Sequence, residues 1–123
     1  MILLDSSAWI EYFNSSAQAP LIEKEISKEH AIIIPTLVIF EVYRKITKTL
    51  SMEEGLSAMS SMSSYDVVDL TKEIALHAAD LSIQYDLPMA DSCILATAEY
   101  YNVKLITFDH DFTNIPNVKI LKK

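Results

Sequence analysis

Four acidic residues occupy positions from which a small α/β chain can bring them together: Asp5 closes the run Ile2-Leu3-Leu4, Glu41 lies in a helical stretch, Asp91 opens another, and Asp109 follows the last strong strand. Asp111 lies two residues further on. Carboxylates repel one another, and each ion taken out of water costs several kcal/mol, so a shared pocket needs protons or a cation to neutralise it. An oxygen-only donor set suits a hard divalent cation. The lone Cys93 and the three histidines offer no Cys/His cluster at zinc-ligand spacing.

Each acid also has a plainer reading. Asp5 stands directly before Ser6-Ser7 and is well suited to cap a helix there. Glu41 could pair with Arg44 or Lys45 on an exposed face, worth only about 0.3 to 0.5 kcal/mol. Asp109 and Asp111 could cap a short turn through Phe112 to Asn114. Asp91 makes the strongest physical case, because positions 91, 94, 95 and 98 share one helix side and the other three are Ile94, Leu95 and Ala98. The helix N-terminus would stabilise its charge by about 0.3 to 1 kcal/mol, well short of the cost of burying it.

The elements that must position these residues read as alternating strands and helices. Ile2-Leu3-Leu4 is a buried strand, followed by a helix carrying Trp9, Ile10, Tyr12 and Phe13. Those aromatic residues read as core or dimer packing. Pro20 opens a second helix through Lys28, with Leu21, Ile22 and Ile26 on its buried side. Ala31 to Ile34 is a second strand, and a long helix runs from Pro35-Thr36 to about Leu50 with Glu41, Arg44, Lys45 and Lys48 opposite its apolar stripe. Met52 to Met62 is a helix whose Met52, Leu56, Met59 and Met62 suggest core packing or an adaptable groove. Asp66 to Leu70 is a strand, and Thr71 starts a helix that ends at Asp86-Leu87-Pro88. A helix from Met89 to Asn102, a strand from Lys104 to Phe108 and an edge strand at Val118 to Leu121 complete the chain. This alternation predicts a mainly parallel sheet covered on both faces, with ligands beyond the carboxyl ends of its strands. Asp5 and Asp109 fall on that rim by position.

A chain of 123 residues, half of them hydrophobic and with a single glycine, suits one domain over 1–123. The unpaired Cys93 fits a reducing cytoplasm, and the N-terminal apolar run is too short for a signal or membrane helix. The net charge of −7 argues against whole-surface gripping of a polyanion, leaving Arg44, Lys45 and Lys48 as a local basic cluster for substrate or partner. His110 reads as an exposed turn residue, and neither His30 nor His77 has better claims to chemistry.

The runs Ile2 to Ile10, Pro35 to Val42, Ala90 to Ala98 and Leu105 to Phe112, taken in order, resemble the motifs of PIN-domain nucleases, and of VapC-type toxins above all. The resemblance spans essentially the whole chain. It implies a three-layer α/β/α sandwich, a magnesium- or manganese-dependent ribonuclease, and a homodimer inhibited by a cognate VapB-type antitoxin. By motif match, Asp5, Glu41, Asp91 and Asp109 take the metal-binding positions and Asp111 an accessory one. Ser6 and Thr107 match the hydroxyl residues beside the acids, where each could orient a carboxylate or simply serve local structure. Two alternatives stand beside this reading: a catalytically silent PIN-fold binding module, and a receiver-type magnesium-binding signalling domain. The latter needs a central-strand Asp and a late strand-end Lys, whereas Asp69 matches poorly and position 109 is acidic.

Overall fold

The computed structural model describes residues 1–28 and 31–123; the histidine at position 30 lies outside them. Strands β1 (Ile2–Leu4), β2 (Ile32–Pro35), β3 (Asp66–Val68), β4 (Lys104–Thr107) and β5 (Val118–Ile120) form one sheet in the order β3-β2-β1-β4-β5. Every pairing is parallel. Helices α1 (Ser6–Phe13), α2 (Ala19–Ser27), α3 (Thr36–Thr49), α4 (Met52–Met62), α5 (Lys72–Tyr85) and α6 (Met89–Tyr100) connect and flank the strands.

The central strands are short unbroken apolar runs because helices cover both sheet faces, and Leu3, Leu4, Ile34 and Leu105 are fully buried. From β1 the chain moves outward through β2 and β3, then returns to place β4 on the other side of β1. The switch point of the sheet therefore lies between β1 and β4, where Leu4 pairs with Ile106. In an open parallel sheet this crevice is where ligands bind.

Side-chain caps set the helix starts. Asp5 caps α1 through Ala8 N, Ser51 caps α4 through Glu54 N, and Thr71 caps α5 through Ile74 N. Asp86 ends α5 in the left-handed region, at φ 56°. Among the described residues, no helix is long and apolar enough to cross a membrane.

Two helix faces differ from the sequence expectation. Met52 and Leu56 are exposed, at 65% and 46%, and the buried side of α4 consists of Gly55, Ala58 and Met62. An added Cβ at Gly55 would collide with the Thr47 side chain, so the close packing of α4 on α3 selects small residues where periodicity had favoured large ones. In α2, Leu21 is exposed and Glu25 is buried beside Ile22. Glu25 is held there by Lys119 Nζ, 3.0 Å from both carboxylate oxygens, and by Lys28 Nζ at 3.3 Å.

Candidate metal centre

Asp5 leaves β1 at the switch point and is only 3% exposed. Its Oδ1 accepts hydrogen bonds from Ser7 Oγ at 2.7 Å and Ala8 N at 3.1 Å, and its Oδ2 accepts one from Thr107 Oγ1. Each hydroxyl is tied in turn to the chain leaving β4, since Ser7 Oγ accepts from Phe108 N at 3.1 Å and Thr107 Oγ1 from Asp109 N at 2.9 Å. Two hydroxyls thereby clamp the backbone that carries Asp109 onto the carboxylate of Asp5. Burial raises the pKa of Asp5, against the lowering effect of the three hydrogen bonds, and the Asp109 charge adds to the rise.

The sequence pointed to Ser6 and Thr107 as the hydroxyl residues beside the acids. The residue hydrogen-bonded to Asp5 alongside Thr107 is Ser7, whereas Ser6 is half-buried and lines a cleft with Ile10, Phe40 and Glu41. Ser7 is the second residue of α1, where its short side chain can turn back to the capping Asp5. Two adjacent serines hide this distinction until the helix start is fixed.

Asp91 sits in the first turn of α6, half-buried above the buried Ile94, Leu95 and Ala98. Its pKa is pushed up to about 7, first by burial and then by the charges of Asp109, Asp5, Asp111 and Glu41. The favourable field of the α6 N-terminus does not offset these effects. Asp91, the half-buried Asp109 and the exposed Asp111 each place a carboxylate oxygen within 4.8 Å of the others. Asp109 Oδ1 also accepts from Asp111 N at 2.9 Å, which fixes the start of the short 3-10 helix His110–Phe112. Capping and membership of the cluster thus coexist at Asp109, as capping and burial do at Asp5.

Glu41 is half-buried on α3, and its Oε1 is buried without a hydrogen-bond partner. The ion pair with Arg44 or Lys45 that its spacing allowed is not formed among the described residues. An unpartnered buried carboxylate oxygen costs free energy, and here it acts electrostatically on Asp91. His110 is exposed, and His77 bonds Glu99 on the α5–α6 surface at 2.7 Å.

The close group that could hold an ion, Asp91, Asp109 and Asp111, consists of carboxylates alone. The close trio, the unpartnered Glu41 oxygen and the upward shift at Asp91 all fit a hard divalent cation, which would supply the missing positive charge. Fold and pocket together define an α/β protein with a cluster of acidic side chains at the switch point of a parallel sheet. The chain belongs to the PIN domain family, whose model matches residues 2–118. The family's nucleases depend on divalent metals, and this match sets aside the receiver-type alternative.

Relatives agree over nearly the full length. The chain is 25% identical to Ribonuclease VapC6 of Methanocaldococcus jannaschii, with 99% of this chain and 97% of that protein covered. A toxin-antitoxin complex from Klebsiella pneumoniae contains a chain 25% identical, at a TM-score of 0.81, covering 97% of this chain and 96% of that one. VapC20 of Mycobacterium tuberculosis, described as a sarcin-ricin-loop-cleaving toxin, shares the fold at a TM-score of 0.83 with 15% identity and 98% of each chain covered.

Proposed function

We propose that this PIN-domain protein is a divalent-metal-dependent endoribonuclease, the toxin of a VapBC-type pair, restrained by a cognate VapB-type antitoxin. The observation that carries the reading is the close trio Asp91, Asp109 and Asp111 at the sheet's ligand-binding rim, with Asp5 and Glu41 outside the trio but near enough for their charges to act on Asp91. Residues 1–123 act as one catalytic domain, as a homodimer in the cytoplasm.

Asp5, Glu41, Asp91 and Asp109 hold magnesium or manganese in this reading, with Asp111 as an accessory acid. When bound, the metal activates water, neutralises charge on the phosphate oxygens and stabilises the leaving oxygen. The protein's own part is to fix the acids and to bind the substrate. Ser7 and Thr107 hold the Asp5 carboxylate in one orientation and keep the Asp109 backbone at a set distance from it. Glu41 keeps an unused carboxylate oxygen for a ligand. Arg44, Lys45 and Lys48 supply positive charge for substrate phosphates or for antitoxin carboxylates.

The test is incubation of the purified protein with a mixed RNA pool, with and without magnesium or manganese, alongside Asp91→Asn. Cleavage should require the metal and fall at least about 100-fold in the variant, with far-UV circular dichroism unchanged. Wild-type cleavage by Asp91→Asn would remove Asp91 from the site, and metal-replete wild-type protein that cleaves no RNA would favour the catalytically silent module.

A further inference from the structure

Phe40 stands apart from the other aromatic residues near the site. Trp9 is buried and packs against Phe13, Tyr12 and Tyr65, with ring centroids 5.6 to 5.8 Å apart. Phe40, one residue before Glu41 on α3, is 53% exposed. It borders two clefts. One, of about 390 Å³, is lined by Phe40 together with Ser6, the residue after Asp5, and with Ile10, Glu41, Arg44 and Lys45. The other, of about 480 Å³, is lined by Phe40, Tyr43, Arg44, Thr47 and Lys48. Both lie in the size range of small-ligand pockets, roughly 300 to 1,000 Å³.

Three cationic side chains line the same clefts. In a chain of net charge −7, Arg44, Lys45 and Lys48 are exposed and make no ion pair among the described residues. Lys28, Lys119 and Lys123 are each paired with a glutamate, whereas Lys24, Lys72, Lys104 and Lys122 are also exposed and unpaired among the described residues. What is particular to Arg44, Lys45 and Lys48 is that they line the clefts that Phe40 borders. Cations left free beside an exposed phenyl ring, on the rim of a phosphate-processing site, are what a single-stranded nucleic acid needs: charge for the backbone and a flat apolar surface for a base.

We propose that Phe40 is the base-stacking residue of this site, its ring seating a base of single-stranded RNA next to the scissile phosphate while Arg44 and Lys45, in the same cleft, hold the backbone. This rests on the ribonuclease reading above and deepens it. A duplex keeps its bases stacked inside and cannot offer one to the ring, so single-strand selectivity follows from the platform itself.

The experiment measures binding of a short fluorescein-labelled single-stranded RNA of mixed sequence, and of the same RNA as a duplex. It uses Asp91→Asn protein in magnesium, alone and combined with Phe40→Ala, Phe40→Trp or Arg44→Ala; the Phe40 and Arg44 variants are also assayed for cleavage with Asp91 intact. Phe40→Ala should weaken single-strand binding about 10- to 100-fold, raise KM more than it lowers kcat, and leave the salt slope unchanged. Phe40→Trp should restore binding, which a packing defect would not allow. Arg44→Ala should weaken binding and reduce the salt slope by about one. Equal affinity of Phe40→Ala and its parent for the single strand overturns the proposal and leaves this face to a protein partner. Absence of single-strand binding by the Asp91→Asn parent overturns it as well. Failure of the Asp91-intact protein to cleave RNA refutes the ribonuclease reading separately, since the binding comparison stands without catalysis.

Discussion

Asp5 and Glu25 are both buried carboxylates, and the chain treats them in opposite ways. At Glu25, burial alone would raise the pKa, but the hydrogen bonds and charges of Lys119 and Lys28 outweigh it and the pKa falls below its ordinary value. At Asp5 and Asp91 burial prevails, because the neighbours are uncharged hydroxyls or further acids. One region supplies its own counter-charge and ties α2 to the edge strand β5. The other withholds it. A pocket that stays short of positive charge can gain it from a ligand, whereas a satisfied ion pair has nothing left to offer.

Loosening the clamp on Asp5 should have the largest effect. Thr107 is fully buried, donates to Asp5 and accepts from Asp109 N, so Thr107→Val leaves both groups short of a partner without changing the side-chain shape much. RNA cleavage should fall about 10- to 100-fold, the range for groups that orient metal ligands, and stability by about 2 kcal/mol. Steady-state kinetics with metal titration and a urea unfolding curve measure the two effects. Wild-type activity would mean that the hydroxyl supports the fold and not the chemistry.

How far the sequence disclosed each region depends on how local its causes are. Strands β1 and β2 could be read because each is an unbroken apolar run, and the starts of α1 and α5 because their caps lie within three residues of the groups they satisfy. Asp91 could be singled out because the apolar side of its helix is spelled out at 94, 95 and 98. Glu25 could not, since its partner Lys119 lies 94 residues away. The packed face of α4 was equally hidden: small residues make that contact, and periodicity in large ones pointed to the exposed side. Ser7 was obscured by Ser6, and the bare Glu41 oxygen by two nearby cations that do not reach it.

A smaller effect tests the satisfied region. Lys119→Met removes the stronger partner of Glu25 but leaves Lys28, and both lysines are roughly half-exposed. The loss should be about 1 to 2 kcal/mol, below the 3 to 5 kcal/mol typical of breaking a fully buried pair, or roughly 5 °C in Tm. Cleavage per folded molecule should not change. The stability contributed by Glu25 is present above its ordinary pKa of 4.5 and is lost as pH falls through its lower folded value, so the variant should differ little from wild type in strong acid.

The smallest effect has the opposite sign. Asp91 takes up its proton near pH 7 in the fold but near 3.8 in the unfolded chain, so between these values the folded protein holds a proton that the unfolded one has released. Without metal, stability from this group therefore declines as pH rises from about 4 to about 7, and the deficit persists above that. Asp91→Asn removes it. At pH 8 in a chelator, the variant should be more stable than wild type by on the order of 1 kcal/mol, after allowance for solvent screening at a half-buried site. At pH 4 the two should converge. Adding magnesium should reverse the order at pH 8, because a cation that binds the folded acids stabilises wild type by mass action and has fewer ligands in the variant. A chelated wild type at least as stable as Asp91→Asn at pH 8 would show that the pocket already contains its counter-charge, and the contrast with Glu25 would fail.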